Sequence, residues 1–151
     1  MVKIVAIVQA RMGSTRLHGK VLKKLVDKSV IEILLSRLSQ SELVEEICLA
    51  TSQNFENNDL CTEVRRLGYN VIRGSETDLL ERFYQAAEAL SADVIVRITG
   101  DCPIIDPKIT DQVINLFLKN DVDYVSNIDP PTFPDGLDVE VFTRQALMIA
   151  Q

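Results

Sequence analysis

The sequence predicts an α/β fold with a mostly parallel sheet, and two observations point to it. Short β-branched apolar runs, the pattern of strands buried on both faces, alternate with longer segments whose apolar residues recur at helical spacing. The 151 residues, 46% hydrophobic and 25% charged, fit one globular domain, here residues 1–151, and exclude disordered, collagen-like and low-complexity classes.

Residues 3–8 (KIVAIV) form the first strand. Polar Gln9 and Arg11 follow it rather than a small-residue cleavage site, so the run is not a signal peptide. Residues 9–20 form a polar loop containing Gly13 and Gly19. Ser29, with Glu32 three positions on, reads as a capping box, and Ile33, Leu34 and Leu38 continue that helix to about residue 40. Residues 47–51 (ICLAT) are the second strand. A helix then begins at Asn58 or Asp59 and runs to Leu67, where Gly68 caps it. Residues 70–73 give a short third strand. Leu79, Leu80, Phe83, Ala87 and Leu90 place a helix over residues 78–90. Residues 93–98 (DVIVRI) are the fourth strand, ending at TGDCP over residues 99–103. Pro107 opens a helix reaching about residue 118. Residues 123–126 are a fifth strand, Pro130, Pro131 and Pro134 impose a rigid loop, and residues 137–142 (LDVEVF) are a sixth. Thr143 caps a helix that Gln151 cuts short. A sheet closing on an unfinished helix is expected of the N-terminal part of a longer protein.

Sixteen basic and 22 acidic side chains leave a net charge of −6. That balance argues against nucleic-acid and membrane partners, which need a positive footprint. No segment approaches the ~20 apolar residues of a membrane span. Cys48, Cys61 and Cys102 are widely spaced and form no CxxC pair, as expected of buried thiols in a reducing cytoplasm.

Against that acidic background, residues 9–20 (QARMGSTRLHGK) concentrate Arg11, Arg16 and Lys20 among Gly13, Ser14, Thr15 and Gly19 just beyond the first strand. Small residues let backbone N–H groups approach an anion, and the cations grip phosphate. The loop is neither of two familiar phosphate binders: GxGxxG is absent, and five residues rather than four separate Gly13 from Gly19, with Val21 after Lys20. Three cations so close repel one another unless an anion sits among them. Asp101, at the end of the fourth strand beside Gly100, is the complementary feature. One carboxylate at such a position can hold Mg²⁺ together with substrate phosphate oxygens. Cations for a polyphosphate and a carboxylate for its metal suit phosphoryl or nucleotidyl transfer.

These residues resemble a known family. The 9–20 loop is similar to the signature loop of the sugar cytidylyltransferases, especially the spore-coat polysaccharide biosynthesis branch, which is related to the 3-deoxy-manno-octulosonate (KDO) and acylneuraminate cytidylyltransferases. GSETDLLERFYQAA over residues 74–87, RITGDCPIIDP over 97–107, YVSN over 124–127 and PDGLDVE over 134–140 match it further, in the right order. The resemblance implies a three-layer α/β/α sandwich of the nucleotide-diphospho-sugar transferase type. It implies that Gln9, Ala10, Arg11, Gly13, Ser14, Arg16 and Lys20 bind the nucleoside triphosphate, with Arg11, Arg16 and Lys20 catalytic. It adds Ser75, Asp78 and Arg82 on the nucleotide side, Asp101 for Mg²⁺, and Asp135, Asp138 and Glu140 toward the sugar. Asp138 and Glu140 read equally as the solvated face of an edge strand, and Asp78 as a helix cap. His18 departs from the family's usual proline. The length departs too, since family members run well beyond 200 residues and a further metal-binding carboxylate lies in the additional portion.

The resemblance implies transfer of CMP from CTP to a small sugar or acid sugar, with release of pyrophosphate, in a protein that often forms homodimers. The alternatives are a nucleotide-binding or assembly module without full turnover, and a P-loop-like NTPase, which the spacing of the loop already disfavours.

Overall fold

The computed structural model describes all 151 residues. In chain order the strands are β1 (Ile4–Gln9), β2 (Lys24–Leu25), β3 (Lys28–Ser29), β4 (Glu46–Ser52), β5 (Asn70–Gly74), β6 (Val94–Thr99), β7 (Tyr124–Ser126) and β8 (Glu140–Thr143). The helices are α1 (Val30–Leu38), α2 (Asn58–Arg66), α3 (Leu79–Ala89), α4 (Pro107–Lys119) and α5 (Arg144–Ala150), with single 3₁₀ turns at Lys20–Leu22 and Phe55–Asn57. The main sheet runs β5-β4-β1-β6-β8-β7. Its first four strands are parallel, and β8 is antiparallel to both β6 and β7.

The alternation along β1 explains the layers. Ile4, Ala6 and Val8 pack with Ile31, Leu34, Leu35 and Leu38 of α1, Leu60 and Val64 of α2, and Val113, Ile114 and Phe117 of α4. Val5 and Ile7 pack on the opposite face with Phe83, Ala86 and Ala87 of α3 and Leu147 of α5. A strand whose successive side chains point to opposite faces must bury both, and the KIVAIV run does so. The result is the expected three-layer α/β/α arrangement. No helix is long and apolar enough to cross a membrane.

Most helix termini follow the local sequence. Asp78, Asp106 and Thr143 cap α3, α4 and α5 with their side-chain oxygens. Ser29 Oγ accepts from Glu32 N–H at 3.2 Å. Only half of the capping box forms: Ser29 pairs with Lys24 in the β2–β3 hairpin, and the Glu32 carboxylate lies 4.0 Å from Lys28 Nζ. That hairpin, turning on Val26 at φ 63°, is unannounced by the sequence, because a β-branched residue rarely takes a left-handed conformation. Leu137 to Val139, expected as part of the sixth strand, lie outside it. Asn127 takes over their backbone bonding: its Nδ2 donates to the Leu137 carbonyl at 2.8 Å and its Oδ1 accepts from Val139 N–H at 2.8 Å.

Candidate functional site

Gln9 and Thr99 are partners at the carboxyl ends of β1 and β6, so the loops that follow open onto one crevice. Gly100 allows the close approach. Its N–H donates to the Gln9 carbonyl at 2.7 Å, and a Cβ there would lie 2.5 Å from Ala10 Cβ. The crevice is an open cleft of about 280 Å³. Gln9, Ala10, Arg11, Ser14, Thr15, Arg16, Lys20 and Val21 line it from the first loop, Thr99, Gly100 and Asp101 from the end of β6, and Arg82 from α3.

Lys20 reaches this cleft because Gly19, at φ 66°, turns the chain sharply into the Lys20–Leu22 turn. Lys20 Nζ donates to Asp101 Oδ2 at 2.6 Å, and that bond holds the Asp101 carboxyl below the usual carboxylate range. Arg11 Nη1 lies 3.8 Å from Glu76 Oε1. The expectation of three cations awaiting an outside anion is thus corrected: two have carboxylate neighbours, and Arg16 alone forms no ion pair. Partial neutralisation lowers the mutual repulsion of the cluster.

Arg82 is buried in the wall of the cleft. Its Nη1 donates to the carbonyls of Ser75 at 2.9 Å and Glu76 at 3.3 Å, while Nε is buried without a partner. Burial lowers its pKa from the ordinary arginine value. This guanidinium fixes the 75–76 segment that carries Glu76, the partner of Arg11.

The remaining sequence candidates do not line the cleft. Gly13 packs against Glu56, whose Oε1 would lie 2.6 Å from an added Cβ. Ser75 Oγ accepts from Asp78 N–H at 3.0 Å and Asp78 Oδ1 accepts from Glu81 N–H at 2.9 Å, so both build the start of α3. Asp135, Asp138 and Glu140 also lie outside the cleft's lining. Partial burial, with the charges of Asp135 and Glu140, raises the Asp138 pKa. Glu140 is not on an edge strand, since β8 lies between β6 and β7. It pairs with Arg97, accepts from Tyr124 O–H at 2.7 Å, and lines a second, largely apolar cavity of about 320 Å³ between α3, α5 and the sheet.

Arg97 was overlooked as a site residue. It donates from Nε at 3.3 Å and from Nη2 at 3.2 Å to Gln9 Oε1, orienting a side chain of the cleft, while Nη1 reaches Glu140. Its signal was present: the one charge inside the strand Val94–Thr99 must find partners.

No group of three or more His, Cys, Asp or Glu side chains could enclose a metal. The donor set near Lys20 is the single Asp101 carboxylate. It suits Mg²⁺, which is commonly held by one or two carboxylates with the rest of its shell from phosphate oxygens and water.

A family model described as "Cytidylyltransferase" matches residues 5–150. An uncharacterized protein of Methanocaldococcus jannaschii is 48% identical over 96% of this chain and 58% of its own length. The spore coat polysaccharide biosynthesis protein SpsF of Bacillus subtilis is 38% identical over 85% of this chain and 55% of its own length. A 3-deoxy-manno-octulosonate cytidylyltransferase of Trichlorobacter lovleyi is 36% identical over 78% and 46%, respectively. Among solved structures, a cytidylyltransferase from Leptospira borgpetersenii superposes with a TM-score of 0.94 at 37% identity, covering 99% of this chain and 63% of that one. The chain therefore spans little more than half the length of the first two relatives.

Proposed function

Because the chain belongs to the cytidylyltransferase family, we propose that it carries the nucleotide half of a reaction moving CMP from CTP to a sugar or acid sugar, with release of pyrophosphate, for surface polysaccharide synthesis. One observation carries the reading: Arg11, Arg16, Lys20 and Asp101 line a single cleft at adjacent strand ends, with Lys20 and Asp101 in contact.

The chemistry is an in-line exchange at phosphorus. An oxygen of the acceptor sugar bonds to the α-phosphorus, the bond from that phosphorus to the bridging oxygen breaks, and pyrophosphate leaves. A hydroxyl acceptor releases its proton to solvent. Negative charge grows on the leaving group, so Arg11, Arg16 and Lys20 favour the transition state over the ground state. Ser14 and the small residues around it let backbone N–H groups approach the phosphates. Asp101 would hold Mg²⁺, which when bound supplies charge neutralisation and orientation of phosphate oxygens. Arg97 holds the Gln9 amide oxygen with two N–H donors, fixing one side chain of the cleft's lining.

SpsF and the KDO enzymes support a sugar acceptor and a polysaccharide role by likeness. Calorimetry with CTP and Mg²⁺, followed by pyrophosphate release with candidate acid sugars, tests the reading. Binding with sugar-dependent release, both abolished in Lys20→Ala, is the expected result. Binding without release with any sugar supports the alternative of a nucleotide-binding module. Absence of CTP binding overturns both.

A further inference from the structure

Asn57 ends the turn Phe55–Asn57, stands at the N-cap of α2, and is wholly buried. An asparagine there ordinarily turns its oxygen onto a free amide of the helix's first turn. Asn57 makes no such bond. Its side chain reaches across the fold instead: Oδ1 accepts from Met12 N–H at 2.9 Å, and Nδ2 donates to Ser52 Oγ at 2.7 Å.

Met12 is where the cationic loop starts and closes. Its carbonyl accepts from Ser14 N–H at 2.8 Å and from Gly19 N–H at 2.9 Å, gathering the segment that carries Arg16 and leads into Lys20. The neighbouring Glu56 rests against Gly13. The turn before α2 therefore touches the loop at two successive residues. Ser52, the other end of the bridge, is the last residue of β4, which lies beside β1 in the sheet.

We infer that Asn57 is a positioning residue of the anion-binding loop, fixing Met12 to the rigid end of β4 without touching the ligand. The inference rests on the reading that the cleft holds a triphosphate. The physical need is clear. Ala10 and Met12 pack on the core, but the polar stretch beyond them that carries Arg16 is largely exposed and gains little from packing. An external anchor holds it in the binding conformation, so that less ordering is needed when the ligand arrives. A helix cap is forgone to supply that anchor.

Three variants test this by hydrogen exchange of the loop and by calorimetry with CTP and Mg²⁺. Asn57→Ala leaves the Met12 N–H without its partner. Exchange in residues 12–19 is expected to quicken about tenfold while β1 and β6 stay protected, and CTP affinity to fall by about tenfold. Asn57→Asp keeps the acceptor for Met12, and the Ser52 hydroxyl can rotate to donate, so its loop exchange is expected to stay near wild type. Unchanged exchange and affinity in Asn57→Ala overturn the inference, and so does Asn57→Asp exchanging as fast as Asn57→Ala. Should Asn57→Ala fail to fold, Ser52→Ala decides: faster loop exchange supports the brace and unchanged exchange overturns it. A wild-type chain that binds no CTP overturns the functional reading instead, and loop exchange still decides the role of Asn57.

Discussion

Removing the charge of Asp101 should strengthen binding of CTP in the absence of metal, although it removes the carboxylate assigned to Mg²⁺. The reason lies in the Lys20–Asp101 contact at 2.6 Å. When a metal-free triphosphate enters, Lys20 must turn toward phosphate and leave Asp101 facing like charge. Each nearby phosphate charge repels Asp101 by about 1 kcal/mol at ~4 Å in water, and salt reduces this further. The side chains of Lys20 and Asp101 are 31% and 42% exposed, so their mutual attraction is discounted to a few tenths of a kcal/mol. The net gain for Asp101→Asn is on the order of 1 kcal/mol, or roughly fivefold tighter metal-free CTP. With Mg²⁺ present the sign reverses: wild type gains affinity, whereas the variant gains little. Calorimetry in EDTA and then in excess Mg²⁺ reads both arms, and circular dichroism checks the fold. If the variant binds metal-free CTP no better than wild type and responds to Mg²⁺ equally, Asp101 neither latches Lys20 nor serves the metal.

Gly100→Ala should bring a methyl group to 2.5 Å from Ala10 Cβ and 2.9 Å from the Gln9 carbonyl, costing about 1–3 kcal/mol of stability and widening the strand ends; an unchanged urea midpoint and unchanged CTP affinity would contradict the packing described. Cys48 and Cys61 are buried and Cys102 is half-buried beside Asp101, so iodoacetamide should alkylate Cys102 first, and CTP with Mg²⁺ should slow it. All labelling should be slow near neutral pH, because burial pushes the Cys48 thiol up to about 12 and raises that of Cys102 as well; peptide mapping that finds Cys48 modified first refutes this. The Lys20 bond lowers the Asp101 pKa in the folded protein, so its stabilisation is present above the unfolded carboxylate range and lost as pH falls through the folded value. Urea midpoints of wild type and Asp101→Asn should therefore converge as pH falls below about 5, from a gap below ~1 kcal/mol; a gap that widens with acid refutes the assignment.

How much of this was legible before the fold was known depends on the range of the interactions involved. Strand runs and helix caps are local, and KIVAIV, the Asp106–Pro107 start of α4 and the Thr143 cap announce themselves. The cationic loop was legible because its members lie within a dozen residues, and Asp101 because a strand end beside glycine is a recurrent ligand position. Ser75 and Asp78 lie outside the cleft's lining. Their oxygens are engaged by the amides of Asp78 and Glu81, a use the sequence allows equally well. Asn57 was missed for the converse reason: it sits where a local cap would form, and only the approach of Met12 from 45 residues away reveals what its amide does.

The location of the site follows from the order of the sheet rather than from any one motif. From β1 the chain builds outward through β4 to β5, then returns to lay β6 on the other flank of β1. The loops leaving β1 and β6 therefore stand side by side where the strand order reverses, and the cleft lies between them. An acidic chain fills that gap with lysine and arginine, and charge alone would open it. The carboxylates of Asp101 and Glu76 answer two of those cations without filling the cleft. Each pairing lowers the mutual repulsion of the cluster, and under the proposed function an entering phosphate would have to replace it. Under the proposed function such a site should discriminate by charge count: a monophosphate would offer too little to release Lys20 from Asp101, whereas a triphosphate with its metal would satisfy both partners. CMP should accordingly bind far more weakly than CTP with Mg²⁺, and with metal withheld Asp101→Asn should tighten CTP more than CMP, because CTP brings more charge to that carboxylate; CMP and CTP binding alike to the wild-type chain would refute the exchange.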